Sequence, residues 1–261
     1  MSSLLTLYFH QFLTFVLVLT RIGALVMALP VFGGTGTPMQ ARALLAVTIA
    51  LLVTPLHFGQ VTVQPENLPA LVGILAKEAL LGVALGAAVM ALVGGVQLAG
   101  QVIGQTSGLS LADVADPTFE SNVSVFSHFL ELVTLAVFFS IGGHRMLIDS
   151  LLDSFRWMPP GQGRLPPDLV HTVAEITGQS FVTALRAAAP IMVALILATL
   201  IVAVISRTLP QLNAIAVGMN LNSMVALAVL ALCLGAATHV FDEQVRDAMA
   251  EIRSTFAAAE P

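Results

Sequence analysis

The sequence predicts an all-α, polytopic integral membrane protein with about six hydrophobic helical segments, some kinked or re-entrant. Three observations carry that prediction. The 261-residue chain is 57% apolar and only 10% charged, against about 25% charged in a typical soluble domain, and its mean hydropathy is +0.94. Its apolar residues fall in runs of helical length, separated by breaks rich in Gly, Pro and Asn. Between Glu78 and Asp113 it passes 34 residues without a charge.

Charge and cysteine content narrow the function classes. A net charge of −5 supplies no basic field for nucleic acid. The single cysteine, Cys233, rules out an intrachain disulfide and a cysteine-built metal site, and reads as a small buried hydrophobe. No Lys or Arg precedes Arg21, so the N-terminus lacks the basic segment of a secretory signal and is expected to belong to the mature protein.

The elements follow in order. Leu4–Thr20 and Ile22–Phe32 are apolar on either side of Arg21, and the Gly- and Thr-rich stretch ending at Pro38 reads as a loop. Ala43–Pro55 is a second run, short for a full span. A third starts near Leu68, contains Lys77 and Glu78, and continues through the uncharged stretch. As one helix those 34 residues would extend about 51 Å, well beyond a hydrocarbon core of about 30 Å. Either the helix overshoots or its end bends back, and the shift in composition at Ser107–Asn122 favours a loop. Val123–Ile141 is a fourth run, closed by Gly142-Gly143-His144-Arg145. Trp157–Asp168, with four prolines and two glycines, is the clearest break. Leu169–Arg186 reads as an amphipathic helix, Ala187–Ser206 and Leu221–Val240 as the last two apolar runs, and the tail from Phe241 to Phe256 as a further amphipathic helix.

Two polar features stand out within the apolar runs. Gln97, Gln101 and Gln105 recur every fourth residue, so a helix stacks them on one face, with Gly100, Gly104 and Gly108 beside them. Stacked amides have no use against lipid, because each costs a few kcal/mol unless hydrogen-bonded. The stripe is expected to line a polar path or a subunit contact, with packing inside one chain as the plainer alternative. Glu78, Gly82 and Gly86 share a ridge, and small residues at that spacing let another backbone approach closely. Glu78 then either meets a cation on a neighbouring helix or subunit, or sits at an interfacial end of its span.

Arg207, Pro210, Gln211 and Asn213 form a polar cluster between the last two apolar runs. It reads as a cytoplasmic docking loop or as a solvated hairpin turn. His144, with Asp149 nearby, reads as a helix-end residue. No nucleophile elbow, HExxH, paired cysteine or phosphate-cradling loop is present, so neither catalysis nor a cofactor is expected.

Several short motifs, in order and spacing along nearly the whole chain, resemble the FliR-type family of the type III export apparatus, which serves flagella and injectisomes. They are Arg21-Ile22 leading to Pro30-Val31-Phe32; Lys77-Glu78 with Gly82; Gln97 through Gly104; Gly108-Leu109-Ser110 through Asp116-Pro117; Gly142-Gly143-His144; Pro190; and Arg207 through Asn213. The stretch around Gly100–Pro117 is closer to flagellar members than to injectisome ones.

The resemblance implies one protomer of a helical export-gate assembly in the bacterial inner membrane, at the flagellar basal body. Its expected partners are FliP and FliQ, with FlhB and FlhA alongside and unfolded flagellar subunits in transit. Residues 1–165 would correspond to a FliP-like portion and 166–261 to a FliQ-like hairpin with the C-terminal helix. The resemblance also implies a plug that closes the pore, over Gln105, Thr106, Ser107, Gly108, Leu109, Ser110, Leu111, Asp113, Asp116, Pro117, Phe119, Glu120 and Asn122. Composition alone shows only an irregular acidic loop there. Lys77, Glu78, Gly82, Gly86, Gly100 and Gly104 are expected in helix packing and assembly. An injectisome subunit of the same family, a stand-alone transporter for a small solute and a scaffold without a pore are the competing readings. The transporter lacks the paired helix interruptions and internal symmetry such proteins often show.

Overall fold

A computed structural model describes residues 2–29, 38–59, 67–108, 125–162, 165–208 and 214–258. The described residues form seven α-helices and one 3-10 turn, with no strand among them. The helices are α1 (Ser2–Ala28), α2 (Met39–Val53), α3 (Leu68–Ser107), α4 (Val125–Ser140), α5 (Gly143–Trp157), α6 (Leu169–Thr208) and α7 (Ala214–Ala257). The 3-10 turn, Thr54–His57, continues α2. Five helical stretches in α1, α2 with its turn, α3, α6 and α7 are long and apolar enough to cross a membrane. The pair α4–α5 makes a sixth if taken as one broken span. The chain is therefore a polytopic all-α membrane protein.

Hydroxyls inside these helices are hidden by bonding back one turn, as helices in apolar surroundings require. Thr14 donates to His10 O at 2.7 Å, Thr20 to Val16 O at 2.8 Å and Thr134 to Leu130 O at 2.7 Å. α3 ends where its sequence changes. Gly108 takes φ +81° and its N–H donates to Gln105 O at 3.2 Å. The left-handed conformation suits a glycine, which has no Cβ to strain. Gly142 does the same between α4 and α5 at φ +78°, and the two helices bend there by 65°.

Three expectations need correction. Leu169–Arg186 and Ala187–Ser206 are not separate elements, because α6 runs unbroken through both and carries Pro190 in its interior. Leu221–Val240 and the amphipathic tail are likewise one helix, α7. A change of polarity alters which solvent suits a helix face without breaking the backbone ladder. The second apolar run also starts earlier than expected, at Met39, and with its turn reaches 19 residues. α3, α6 and α7, at 40, 40 and 44 residues, extend about 60–66 Å.

The chain divides into two compact units. Unit 1 comprises Met1–Ala91, Gly142–Ile176 and Val245–Pro261, and unit 2 comprises Leu92–Ile141 and Thr177–Gln244. In unit 1, Leu13 and Leu17 of α1 pack on Leu71, Ile74 and Leu75 of α3. In unit 2, Ala99 and Ile103 of α3 join Phe126 and Leu130 of α4, Ala188 and Ile191 of α6, and Ala226 and Leu230 of α7.

Candidate functional site

The most strongly built polar centre lies in unit 1. Arg21, about three-quarters of the way along α1, has no exposure to solvent, and Glu78 on α3 is 2% exposed. Arg21 Nε donates to Glu78 Oε2 at 2.6 Å. Its Nη1 donates to Ser154 O at 3.0 Å and Ser154 Oγ at 3.1 Å, and its Nη2 to Met158 O at 3.1 Å. The guanidinium also lies over the Phe155 ring, 4.3 Å from its centroid. Glu78 Oε1 accepts the Gly161 N–H at 2.8 Å. One ion pair thus holds α1, α3, the end of α5 and the turn after it.

The sequence places each part. α5 is amphipathic, with Leu147, Leu151, Ser154 and Phe155 on its buried face, so Ser154 and Phe155 turn toward Arg21. Pro159 and Pro160 follow its last turn, and Gly161 at φ +81° aims its N–H at the carboxylate. A buried guanidinium is tolerable only when its donors are matched. Here the acceptors are a carboxylate, two backbone carbonyls and a hydroxyl.

Glycines set the distance between α1 and α3. A Cβ added at Gly82 would stand 2.1 Å from Arg21 O, and one at Gly86 would stand 2.5 Å from Ala28 Cβ. The ridge that carries Glu78 therefore presses directly on the α1 backbone. Of the choices left open for Glu78, the structure shows a cation on a neighbouring helix of the same chain. Lys77, one residue away, points out and is exposed.

The Gln stripe lies in unit 2. Gln97 and Gln101 are half-buried and Gln105 is exposed. The packed face of this part of α3 is instead that of Val96, Ala99 and Ile103, against the unit 2 core. Gly100 meets α4 closely, since an added Cβ would fall 2.5 Å from Ser127 Cα, and Ser127 Oγ donates to Gln97 O at 2.8 Å. Gly104 is buried, and its carbonyl accepts from Ser107 Oγ at 2.9 Å. Gly108 has only Met219 Cγ, at 3.8 Å, near its added Cβ.

Of the expected plug, Gln105, Thr106, Ser107 and Gly108 are described, the first three closing α3. Leu109, Ser110, Leu111, Asp113, Asp116, Pro117, Phe119, Glu120 and Asn122 lie outside the described residues. Arg207 is exposed at the end of α6, while Pro210, Gln211 and Asn213 also lie outside them. His144 is exposed in the first turn of α5. Cys233 is half-buried rather than fully buried, and lines a cavity.

Comparison with known proteins places this geometry. The profile of the family described as bacterial export proteins, family 1, matches residues 12–248. The chain belongs to that family. It is 31% identical to the flagellar biosynthetic protein FliR of Pectobacterium carotovorum, over 89% of each chain. It is 29% identical to FliR of Bacillus subtilis, over 85% of this chain and 86% of that one. With FliR of Escherichia coli K12 it shares 26% identity over 88% of this chain and 84% of the relative.

The part of this export protein that sequence reasoning missed is the partner of Glu78. Arg21 is a lone charge in an apolar run, as Glu78 nearly is, and their opposite signs were the available signal. Ser154, Phe155, Met158 and Gly161 gave no comparable signal. They act through backbone groups, a ring face and one serine hydroxyl, and lie 133 or more residues from Arg21.

Proposed function

We propose that the chain is a core subunit of the flagellar type III protein export gate. It would form, with FliP and FliQ, the channel through which unfolded flagellar subunits cross the inner membrane at the basal body. The observation that carries the reading is family membership over residues 12–248, together with relatives whose names are those of flagellar biosynthetic proteins. Helices about twice as long as the hydrocarbon core is thick support it, because such helices need protein or water along much of their length. The exposed apolar faces of α6 and α7, including Val193, Leu200, Val204 and Leu232, suit a chain that packs into a larger assembly.

In this reading residues 1–165 act as a FliP-like portion and 166–261 as a FliQ-like hairpin. FlhB and FlhA would associate with the gate, with Arg207 and its neighbours as a docking candidate. The segment from Gln105 to Asn122 would plug the closed pore, next to the Gln97, Gln101 and Gln105 face. Unit 1 would keep α1, α3 and α5 in fixed register through Arg21 and Glu78.

Purification of the tagged chain from native membranes in mild detergent, with mass spectrometry of what accompanies it, tests the assignment. Recovery with FliP and FliQ in one large complex is expected. A well-behaved lone chain or homodimer would overturn it and favour a small-solute transporter. The plug is tested separately: deletion of residues 108–117 should leave the complex assembled and make membranes leaky to small ions. Assembly with unchanged leakage would discard the plug and leave the gate standing.

A further inference from the structure

Unit 2 contains a cavity of about 80 Å³ between α3, α4, α6 and α7. By the volume one water requires, about 10–15 Å³ on this measure, it has room for roughly six groups of water or methylene size. It is long and narrow. Its lining on α7 extends from Leu230 to Gln244 and on α6 from Ser180 to Ile191, which correspond to about 21 and 17 Å of helix. α6 and α7 run antiparallel here, pinned where Asn222 Nδ2 donates to Thr199 Oγ1 at 3.2 Å. Ser180 and Gln244 therefore stand at one end of the cavity, and Ile191 and Leu230 at the other.

The two ends differ chemically. Among the described residues, Gln244 Nε2 is a buried donor with no hydrogen-bond partner. Four hydroxyls line the cavity: those of Thr134 and Thr238 are donated within their own helices, to Leu130 O and Gly235 O, and those of Ser180 and Thr183 stand toward the Gln244 end. A chain of waters would need two to four polar partners for each molecule, and away from that end the lining is Leu, Val, Ile and Ala with Cys233 and Thr134. It fits an apolar rod carrying one acceptor at its end. Ala187 and Val240 line the cavity and are exposed, so it opens on the outer face of its helices.

We infer that this groove holds the ester-proximal part of one acyl chain of a bilayer phospholipid, about the half-dozen methylenes it has room for, its ester carbonyl accepting from Gln244 Nε2. The occupant commends itself on three counts: it is apolar along its length, it carries an acceptor at one end, and it surrounds the protein. The inference does not depend on the export reading, since it concerns what fills a cavity within one unit of this chain.

The test uses the full chain, with whatever complex it brings, in phosphatidylethanolamine and phosphatidylglycerol vesicles doped with a phospholipid bearing a diazirine near the ester end of one acyl chain. After photolysis, mass spectrometry should find adducts on residues 92–103, 180–191 and 230–244. Ala187→Trp, at the exposed mouth, should reduce them. Gln244→Leu should reduce them about fivefold, the size of one ordinary hydrogen bond, although it makes the groove more apolar. A diazirine alkane without an ester should be insensitive to Gln244→Leu. Adducts confined to outward positions such as Val193, Leu200 and Val204 would overturn the inference. So would unchanged or increased labelling in Gln244→Leu, or crosslinks from the groove residues to another polypeptide.

Discussion

Units 1 and 2 are cut from the same three long helices, yet they are held together by opposite means. Unit 1 closes around a charge: Arg21 and Glu78 are both buried, and each reaches backbone groups on a third segment. Unit 2 closes around small and aliphatic side chains and leaves polar atoms unmatched. Asn222 Oδ1 and Gln244 Nε2 are buried without partners among the described residues. Well-matched polar centres fix one arrangement, whereas buried polar atoms left unmatched lose stability.

The largest effects should come from breaking the charge in unit 1. Arg21→Met or Glu78→Leu alone should cost about 3–5 kcal/mol, because the remaining charge is left buried and unpaired. Thermal unfolding of the purified complex and the amount of chain retained in membranes measure this. Replacing both partners of a buried pair is often neutral. Here the double variant should stay below wild type, since the Gly161 N–H and the Ser154 and Met158 carbonyls lose their partners as well. A double variant as stable as wild type would show that the centre is not what holds unit 1.

Next come the glycines. Gly82→Val should destabilise by about 1–3 kcal/mol or more through overpacking, as its Cβ would lie within 2.1 Å of Arg21 O. Gly94→Ala, with nothing within 4 Å, should be neutral or stabilising by up to about 1 kcal/mol from helix propensity. Equal effects at the two sites would remove the close approach of α1 to α3 from the account.

Unit 2 should respond in the other direction to loss of a polar group. Asn222→Leu should be neutral or stabilising by up to about 1 kcal/mol, because it deletes an unmatched buried oxygen, while Thr199 keeps its bond to Leu195 O at 2.8 Å. A cost above that of an ordinary surface change would show that Asn222 Oδ1 has a partner in the assembled protein. Smallest of all, Gln101→Leu should change stability by less than about 0.5 kcal/mol. Its expected consequence is in assembly or conductance, read by co-purification and by ion leakage.

Much of the architecture was legible because membrane burial writes itself into composition. The count of spans, the start of α3 near Leu68 and its end at Ser107, and the interruption at Gly142 all follow from apolar runs and glycines. The continuity of α6 and α7 was not legible, because hydropathy reports the solvent of a helix face and says little about whether the backbone ladder continues. The candidate centre was half legible. Glu78 and Gly82 announced themselves by type and spacing. Their counterparts on α1 and α5 did not, because Arg21 finds Glu78 57 residues away, and no local pattern encodes such a distance.

That separation has a consequence for how the protein is made. Unit 1 consists of three stretches of chain, and its last stretch begins only at Val245. At synthesis rates of about 5–20 residues per second, the 57 residues between Arg21 and Glu78 correspond to about 3–11 s. During that interval α1 carries a guanidinium whose partner, Glu78, is not yet synthesised. An arginine inside a membrane helix is costly, about 2.5–3.5 kcal/mol where it stands at the centre on insertion scales, so α1 is a hesitant segment. It should dwell beside the insertion machinery until α3 arrives, and only the later emergence of α5 and Gly161 completes its set of acceptors. The order of translation thus makes a helix synthesised before all its partners one of the last to settle.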